Sequence, residues 1–264
     1  MKDTMRCRIC SNAADHAFNA LLLFKYEAEF FYCETCGFLQ TAEPHWLDEA
    51  YEDAVVAADT GVLQRNQSLA TMSAILLYAL FPSRSKFLDY AGGYGLFVRL
   101  MRDVGFDFYW SDKYCENVFA QGFESKPGET FELVTTFEVL EHVSDPLEFI
   151  RDVLAKSSAT SLLFSTELFS GRPPDPNQWW YYCFEAGQHI SFFQRRTLEA
   201  LAAQLGRKLY SHGSVHLITS RSIPPILFRI LTSRFLARAL SFIPRLGMRS
   251  RTMADHERLI KQRR

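Results

Sequence analysis

Glycine and proline are scarce in this chain of 264 residues, at 13 and 10 respectively, which excludes collagen-like repeats and low-complexity disorder. No uncharged apolar run reaches the roughly 18 residues that a bilayer-crossing helix needs, so a membrane-spanning protein is not expected. The first residues, Met1-Lys2-Asp3-Thr4-Met5-Arg6-Cys7, are polar and hold no apolar stretch of the signal-peptide kind. A cytoplasmic location is the expectation that follows. Internal repeats are also missing. What is present is 48% hydrophobic and 22% charged residues, the balance of a globular chain with material for one sizeable core.

The net formal charge of -1 conceals an asymmetry. From Arg221 onward eleven Lys and Arg face only Asp255 and Glu257, giving +9 and leaving -10 on everything before. The body therefore lacks the broad basic face that phosphate-backbone binding needs, and nucleic acid gives no strong signal as a partner. Within the basic tail, Ser222 to Pro244 reads as a proline-started amphipathic helix. Arg234 and Arg238 share one face, while Ile226, Ile230, Leu231, Phe235 and Leu236 line much of the rest. Such a segment either docks on the acidic body of its own protein or lies peripherally on an anionic membrane surface. Arg249 to Arg264 is expected to be exposed and frayed.

Four of the six cysteines stand as Cys7-x2-Cys10 and Cys33-x2-Cys36. Each such turn points two thiolates at one place, and two of them complete the tetrahedral sulfur shell of a structural zinc site. Gly37 suits the tight second turn, and Phe18 to Tyr32 reads as a hairpin beside the metal. The rivals are two disulfides, which a reducing compartment disfavours, and a redox pair, for which neither Cys-x-x-Cys opens a helix after a buried strand. So small a module cannot bury enough surface alone, so zinc would supply folding free energy. Cys115 and Cys183 read as ordinary thiols.

Helical spacing marks Trp46 to Tyr51 and Gly61 to Phe81, ended by Pro82. Short β-like runs then alternate with helical ones: strands over Lys86–Tyr90, Phe106–Asp112, Asn117–Phe123, Phe131–Val139 and Ser161–Leu168, helices over Leu96–Val104 and Asp145–Ala155. This order predicts an α/β fold, a mostly parallel sheet with helices on both faces. A helix over Thr197–Leu205 precedes two strands, Lys208–His212 and Val215–Ser220, whose short Gly213-Ser214 link makes them antiparallel. The boundaries read as a zinc module (1–42), a helical approach segment (43–82), a cofactor-binding domain (83–221) and a basic helical tail (222–264).

Phe87-Leu88-Asp89-Tyr90-Ala91-Gly92-Gly93-Tyr94-Gly95 places a glycine turn between the first strand and its helix, at the carboxyl edge where α/β ligands bind. Asp112, 23 residues after Asp89, ends the second strand, the position from which a carboxylate reaches ribose hydroxyls. A third glycine near Val98, which a pyrophosphate site would want, is missing, so an adenosine ligand without phosphate fits better.

With these motifs, the run Phe131 to Val143 and the edge hairpin, residues 86 to 220 resemble a Rossmann-like class I S-adenosylmethionine-dependent methyltransferase. The four-cysteine module adds a resemblance to the nucleotide-sugar C-methyltransferase branch. The resemblance implies a transferase in which Asp89, Ala91, Gly93 and Gly95 surround the methionine part of S-adenosylmethionine. Asp112 would hold the ribose, Phe137 would face the cofactor, and Gln121 to Phe123 would lie near adenine. The chain departs from the family's pattern at Ala91, where a first glycine usually stands, which leaves a catalytically silent scaffold as an alternative.

Methyl transfer is an in-line displacement, so the protein mainly aligns the acceptor and removes a proton. Glu138, Glu141 and His142 fall at i, i+3 and i+4 past the fourth strand and could share one side of a turn. In the similar quinone O-methyltransferases such a set lies near the acceptor and can bind a divalent cation; the plain alternative is that His142 only shapes the turn. His189, in Gln188-His189-Ile190-Ser191-Phe192-Phe193, resembles a segment of sugar C-methyltransferases near which a histidine is the base, though the closely spaced histidine pair of that subgroup is replaced by Glu185-Ala-Gly-Gln188. The loop Gly171 to Tyr182 would either hold a small-molecule acceptor against Trp179, Trp180, Tyr181 and Tyr182 or pack them as core. Asp59, Thr60, Arg65 and Asn66 are weaker candidates. A nucleic-acid-modifying methyltransferase is the remaining alternative, but no Asn/Asp-Pro-Pro-Tyr-type signature follows the fourth strand, where Phe137-Glu138-Val139 stands.

Overall fold

The computed structural model describes residues 4–51 and 59–262. In chain order, strands β1 (Thr4–Arg6), β2 (Ala13–Leu22), β3 (Tyr26–Tyr32) and β4 (Leu39–Thr41) precede helices α1 (Leu47–Ala50) and α2 (Val62–Leu80). Then come β5 (Lys86–Tyr90), α3 (Leu96–Val104), β6 (Asp107–Ser111), β7 (Leu133–Phe137), α4 (Pro146–Ser157) and β8 (Ser161–Ser165). After β9 (Ser191–Phe192), α5 (Arg195–Gln204), β10 (Lys208–His212) and β11 (Val215–Thr219) follow α6 (Pro225–Leu231), α7 (Arg234–Leu240), α8 (Phe242–Gly247) and α9 (Thr252–Gln262). The strands form two sheets, ordered β1-β2-β3-β4-β9 and β10-β11-β8-β7-β5-β6.

One compact unit comprises residues 4–51, 137–152 and 164–220. The expected hairpin is there: β2 and β3 pair antiparallel from Asp15 opposite Tyr32 to Leu22 opposite Tyr26. β4 extends the sheet, and the two-residue β9 completes it, with Leu39 opposite Phe192 and Gln40 opposite Ser191. Its aromatic residues bury one face. Phe30, Trp46, Tyr181, Tyr182 and Phe192 form one cluster, with Phe18 stacked on Phe30 at a ring separation of 4.6 Å. In this unit too, β10 and β11 make the antiparallel hairpin, from Lys208 opposite Thr219 to His212 opposite Val215.

The other unit comprises residues 59–136, 153–163 and 221–262. β5 runs parallel to both β6 and β7, with Tyr90 beside Ser111 and Asp89 beside Thr135. Phe87, Leu88 and Asp89 are all buried, as befits a parallel strand covered on both faces. α3 begins at Gly95, whose φ of 82° is the left-handed conformation that a side chain resists.

Three sequence expectations fail here. Asn117–Phe123 is not a strand; it is a series of turns, and only Glu124 bridges to Trp110. The Asn117 side chain accepts from Ala120 N at 2.9 Å, Gly122 N donates to Glu124 Oε1 at 3.1 Å, and Val118 N and Phe119 N donate to Tyr94 O. These local bonds compete with a ladder and win. The tail is not one helix but three, α6 to α8, interrupted where Thr232 Oγ1 bonds Phe228 O at 2.7 Å and Ser241 Oγ bonds Arg238 O at 2.9 Å. Nor is Arg249–Arg264 a frayed end over its described part: α9 buries Asp255, which takes Arg102 Nε and Nη2 at 2.8 Å each.

Candidate functional site

The glycine turn is built by β5 ending against β6. Gly92 N donates to Ser111 O at 3.2 Å, Gly95 N to Gly92 O at 3.0 Å, and Trp110 Nε1 to Gly93 O at 2.8 Å. Asp112 ties the turn to the end of the second strand: Oδ2 accepts Gly93 N at 2.9 Å, and Oδ1 accepts Tyr114 N at 2.7 Å and Cys115 N at 2.9 Å. Each carboxylate oxygen has two lone pairs, so Oδ2 keeps acceptor capacity. A Cβ on Gly92 would fall 2.6 Å from Asp89 Oδ2, so only glycine lets the backbone pass over that carboxylate. Ala91 has φ 58°, the left-handed region that costs a non-glycine residue about 1 kcal/mol or more.

Asp89 is buried and accepts Thr135 Oγ1 at 2.6 Å. Burial pushes its pKa up to about 7; the Thr135 bond works against the rise and the charge of Asp112 adds to it. Trp110, Asp89 and Asp112 thus surround the turn with one buried carboxyl of raised pKa and one carboxylate with spare acceptor capacity.

Past β7 the chain reverses sharply. Glu138 has φ 55°, and it is held by reciprocal bonds: its N–H donates to Ser165 Oγ at 2.9 Å, and Ser165 Oγ donates to its carboxylate. A 3-10 turn over Leu140–His142 follows. Glu141 is fully buried and accepts Tyr181 Oη at 2.7 Å through Oε1; Tyr181 Oη also lies 3.1 Å from Thr166 Oγ1. Burial first, then the charge of Glu138, push the Glu141 pKa up to about 8. Among the described residues, Glu141 Oε2 has no hydrogen-bond partner.

His189 joins this group from the chain that leads into β9. Its ring meets that of His142 edge-on at 4.7 Å and that of Tyr181 at 4.8 Å. His189 Nδ1 lies 2.7 Å from Tyr181 O; a carbonyl only accepts, so Nδ1 is the donor in this contact. One ligand atom from each of Glu141, His142 and His189 falls within 4.8 Å of the others. Glu138, expected beside Glu141 and His142, is not in that trio, and His189 takes its place.

The four cysteine sulfurs also lie within 4.8 Å of one another. Cys7 and Cys36 sulfurs are 3.5 Å apart and Cys10 and Cys33 sulfurs 3.4 Å. A disulfide needs about 2.05 Å, whereas sulfurs about 2.3 Å from a tetrahedral ion stand roughly 3.8 Å apart. Both turns share one backbone pattern. Cys7 N donates to Asn12 O while Cys7 O accepts Ser11 N; Cys33 N donates to Phe38 O while Cys33 O accepts Gly37 N. Gly37 has φ 76°, the reason that glycine stands there. Within the group the Cys7 sulfur is pulled toward thiolate, to about 5, first by its hydrogen bond from Cys36, against the opposing effect of burial.

The remaining candidates sort plainly. Tyr181 and Tyr182 are core, whereas Trp180 is 71% exposed. Trp179 packs edge-on against Tyr182 at 4.8 Å. Phe137 is half-buried at the end of β7. Arg65 closes on Asp59 with contacts of 3.1 and 2.5 Å, and Asn66 bonds Val62 O. Sequence reasoning passed over Thr166, Ser165 and the role of Tyr181. The signal for the last was available, since a buried tyrosine hydroxyl requires a partner.

The family model described as a methyltransferase domain matches residues 63–212. No curated protein matches the chain in sequence. Among solved structures the chain is similar to TnmH, at 17% identity over 67% of this chain and 61% of that one, with a TM-score of 0.47. It is also similar to magnesium protoporphyrin IX methyltransferase from Synechocystis PCC 6803, solved with bound S-adenosylmethionine (13% identity, 65% and 87% covered, TM-score 0.42). A third is the plantazolicin methyltransferase BpumL (10%, 66% and 89%, TM-score 0.44). The chain spans less than two thirds of the length of TnmH.

Proposed function

The chain belongs to the methyltransferase-domain family, and from that membership we propose that it transfers a methyl group from S-adenosylmethionine to a small-molecule acceptor, a nucleotide-linked sugar or a related metabolite. The observation that carries the cofactor is the glycine turn bracketed by Asp89 and Asp112, where Asp112 Oδ2 accepts Gly93 N and nothing lies within 4 Å of the space that a Gly93 side chain would fill. When bound, the cofactor supplies a methyl group activated by its sulfonium charge. Asp112 accepts the ribose hydroxyls with Oδ2. Asp89, whose pKa burial raises to about 7, would ionise beside the cofactor's cationic amino group. Ala91, Gly93 and Gly95 would line the same ligand.

His189 is the general base. Its Nδ1 lies 2.7 Å from Tyr181 O, and Nε2 would take the proton that the acceptor gives up as its electron pair bonds to the methyl carbon and the carbon–sulfur bond breaks, its electron pair returning to sulfur. His142 and Glu141 set the polarity around that nitrogen, with Tyr181 holding Glu141. A second reading has a divalent cation held by Glu141, His142 and His189, favoured by the buried Glu141 Oε2 that lacks a partner among the described residues. The four cysteines, their sulfurs within 4.8 Å of one another, would hold a structural zinc ion.

Calorimetric titration with S-adenosylhomocysteine tests the reading. Wild type binds, Asp112→Ala weakens binding by about 1–3 kcal/mol, and His189→Gln leaves binding unchanged while turnover falls. No heat from the wild-type protein would overturn it and mark Ala91 as the sign of a silent scaffold.

A further inference from the structure

The tail helices are half docked. Phe228, Leu231, Ala237 and Pro244 are buried, and α6, α7 and α8 all pack against α2, where a Cβ on Gly247 would collide with Tyr78 Oη. Docking therefore uses one side only. On the other, Ile226 is 72% exposed, Phe235 and Leu246 are each 80% exposed, and Phe242 is exposed as well. Single exposed apolar residues are ordinary on a protein surface, but a series of large ones along three successive helices marks an interaction face.

The charge on that face selects the partner. Arg229, Arg234, Arg238 and Arg245 are exposed among those side chains, and no acidic residue occurs from Ser222 to Ala254. We propose that the outward face of α6, α7 and α8 docks on an anionic lipid bilayer, with Ile226, Phe235, Phe242 and Leu246 entering the acyl boundary and the arginines pairing with lipid phosphates. Guanidinium groups on long apolar stems suit the headgroup level. A second copy of the same face would bring arginine against arginine, which opposes self-pairing. A nucleic acid would engage the arginines but leave the large apolar side chains uncovered.

Vesicle flotation of the full chain tests this. Vesicles of phosphatidylcholine alone are compared with vesicles in which about a third of the lipid is phosphatidylglycerol. The protein floats with the mixed vesicles and stays behind with the neutral ones. Binding falls about fivefold for each arginine lost in Arg234→Ala and Arg238→Ala, and disappears in the double variant Phe235→Ser, Leu246→Ser. All four positions are exposed, so an unchanged melting temperature certifies that these variants are folded. Failure to float with either vesicle, equal flotation with both, or flotation indifferent to all the substitutions overturns the proposal. A dimer that forms without lipid and is abolished by Leu246→Ser overturns it as well, and assigns the face to a second copy.

Discussion

Ala91 carries a backbone conformation that its own side chain resists. Its φ of 58° is one that glycine adopts freely, and the turn accepts the strain because Gly92 N, Gly93 N and Gly93 O are pinned to Ser111, Asp112 and Trp110 on either side. Ala91→Gly should therefore raise stability by about 1 kcal/mol, read as a higher urea midpoint at unchanged slope. A lower midpoint would show that the methyl group has a packing role that outweighs the strain. The turn itself was legible in the sequence, because three glycines after a strand ending in Asp-Tyr fit few other structures. The torsion at Ala91 was not, since residue type argues against it. The same holds for Glu138, whose left-handed φ of 55° depends on Ser165, 27 residues away.

Periodicity made most elements readable. β5, α3, β10 and β11 fall where alternation and helical spacing place them, and the Gly213-Ser214 link forces the last two to be antiparallel. α9 was not readable, because its reason for ordering lies 153 residues away in sequence. Arg102, 1% exposed, gives two hydrogen bonds to Asp255, and Nη1 adds Asp107 and Phe108 O. Burial alone would raise the Asp255 pKa, but its bonds to Arg102 and Arg99 outweigh burial and hold it below the ordinary 3.8. Asp255→Ala leaves a buried guanidinium short of its main partner and should cost about 3 kcal/mol. A lowered carboxylate pKa contributes stability above the unfolded value and loses it as acid protonates the group. The gap in melting temperature between wild type and Asp255→Ala should thus be full at neutral pH and narrow below about pH 4; a gap that does not move with pH would remove the ion pair as its cause.

The cysteine spacing was also legible, but not how much of the protein depends on it. α5 grips both turns: Gln204 Nε2 bonds Ile9 O at 2.5 Å, Thr197 Oγ1 bonds Cys36 O at 2.8 Å, and Arg196 Nη1 bonds Glu34 O at 2.6 Å. β9 pairs with β4 in the same unit, and Ile190 N, next to it, bonds Glu141 O at 2.8 Å. This unit is assembled from three separate stretches of chain, so ordering it closes long loops that the remaining contacts must offset. A zinc ion at Cys7, Cys10, Cys33 and Cys36 would contribute on the order of 10 kcal/mol where metal binding and folding are coupled. Elemental analysis should then find one zinc per chain, and a strong chelator, or Cys10→Ser with Cys36→Ser, should lower Tm by well over about 10 °C. Cys115→Ser, outside the cluster, is the control and should leave Tm nearly unchanged. Because α5 and β9 hold the same sheet, metal loss should also broaden the signals of His142 and His189. Metal-free protein that melts at the wild-type temperature would mean that the aromatic cluster around Phe30 and Tyr182 orders this unit unaided.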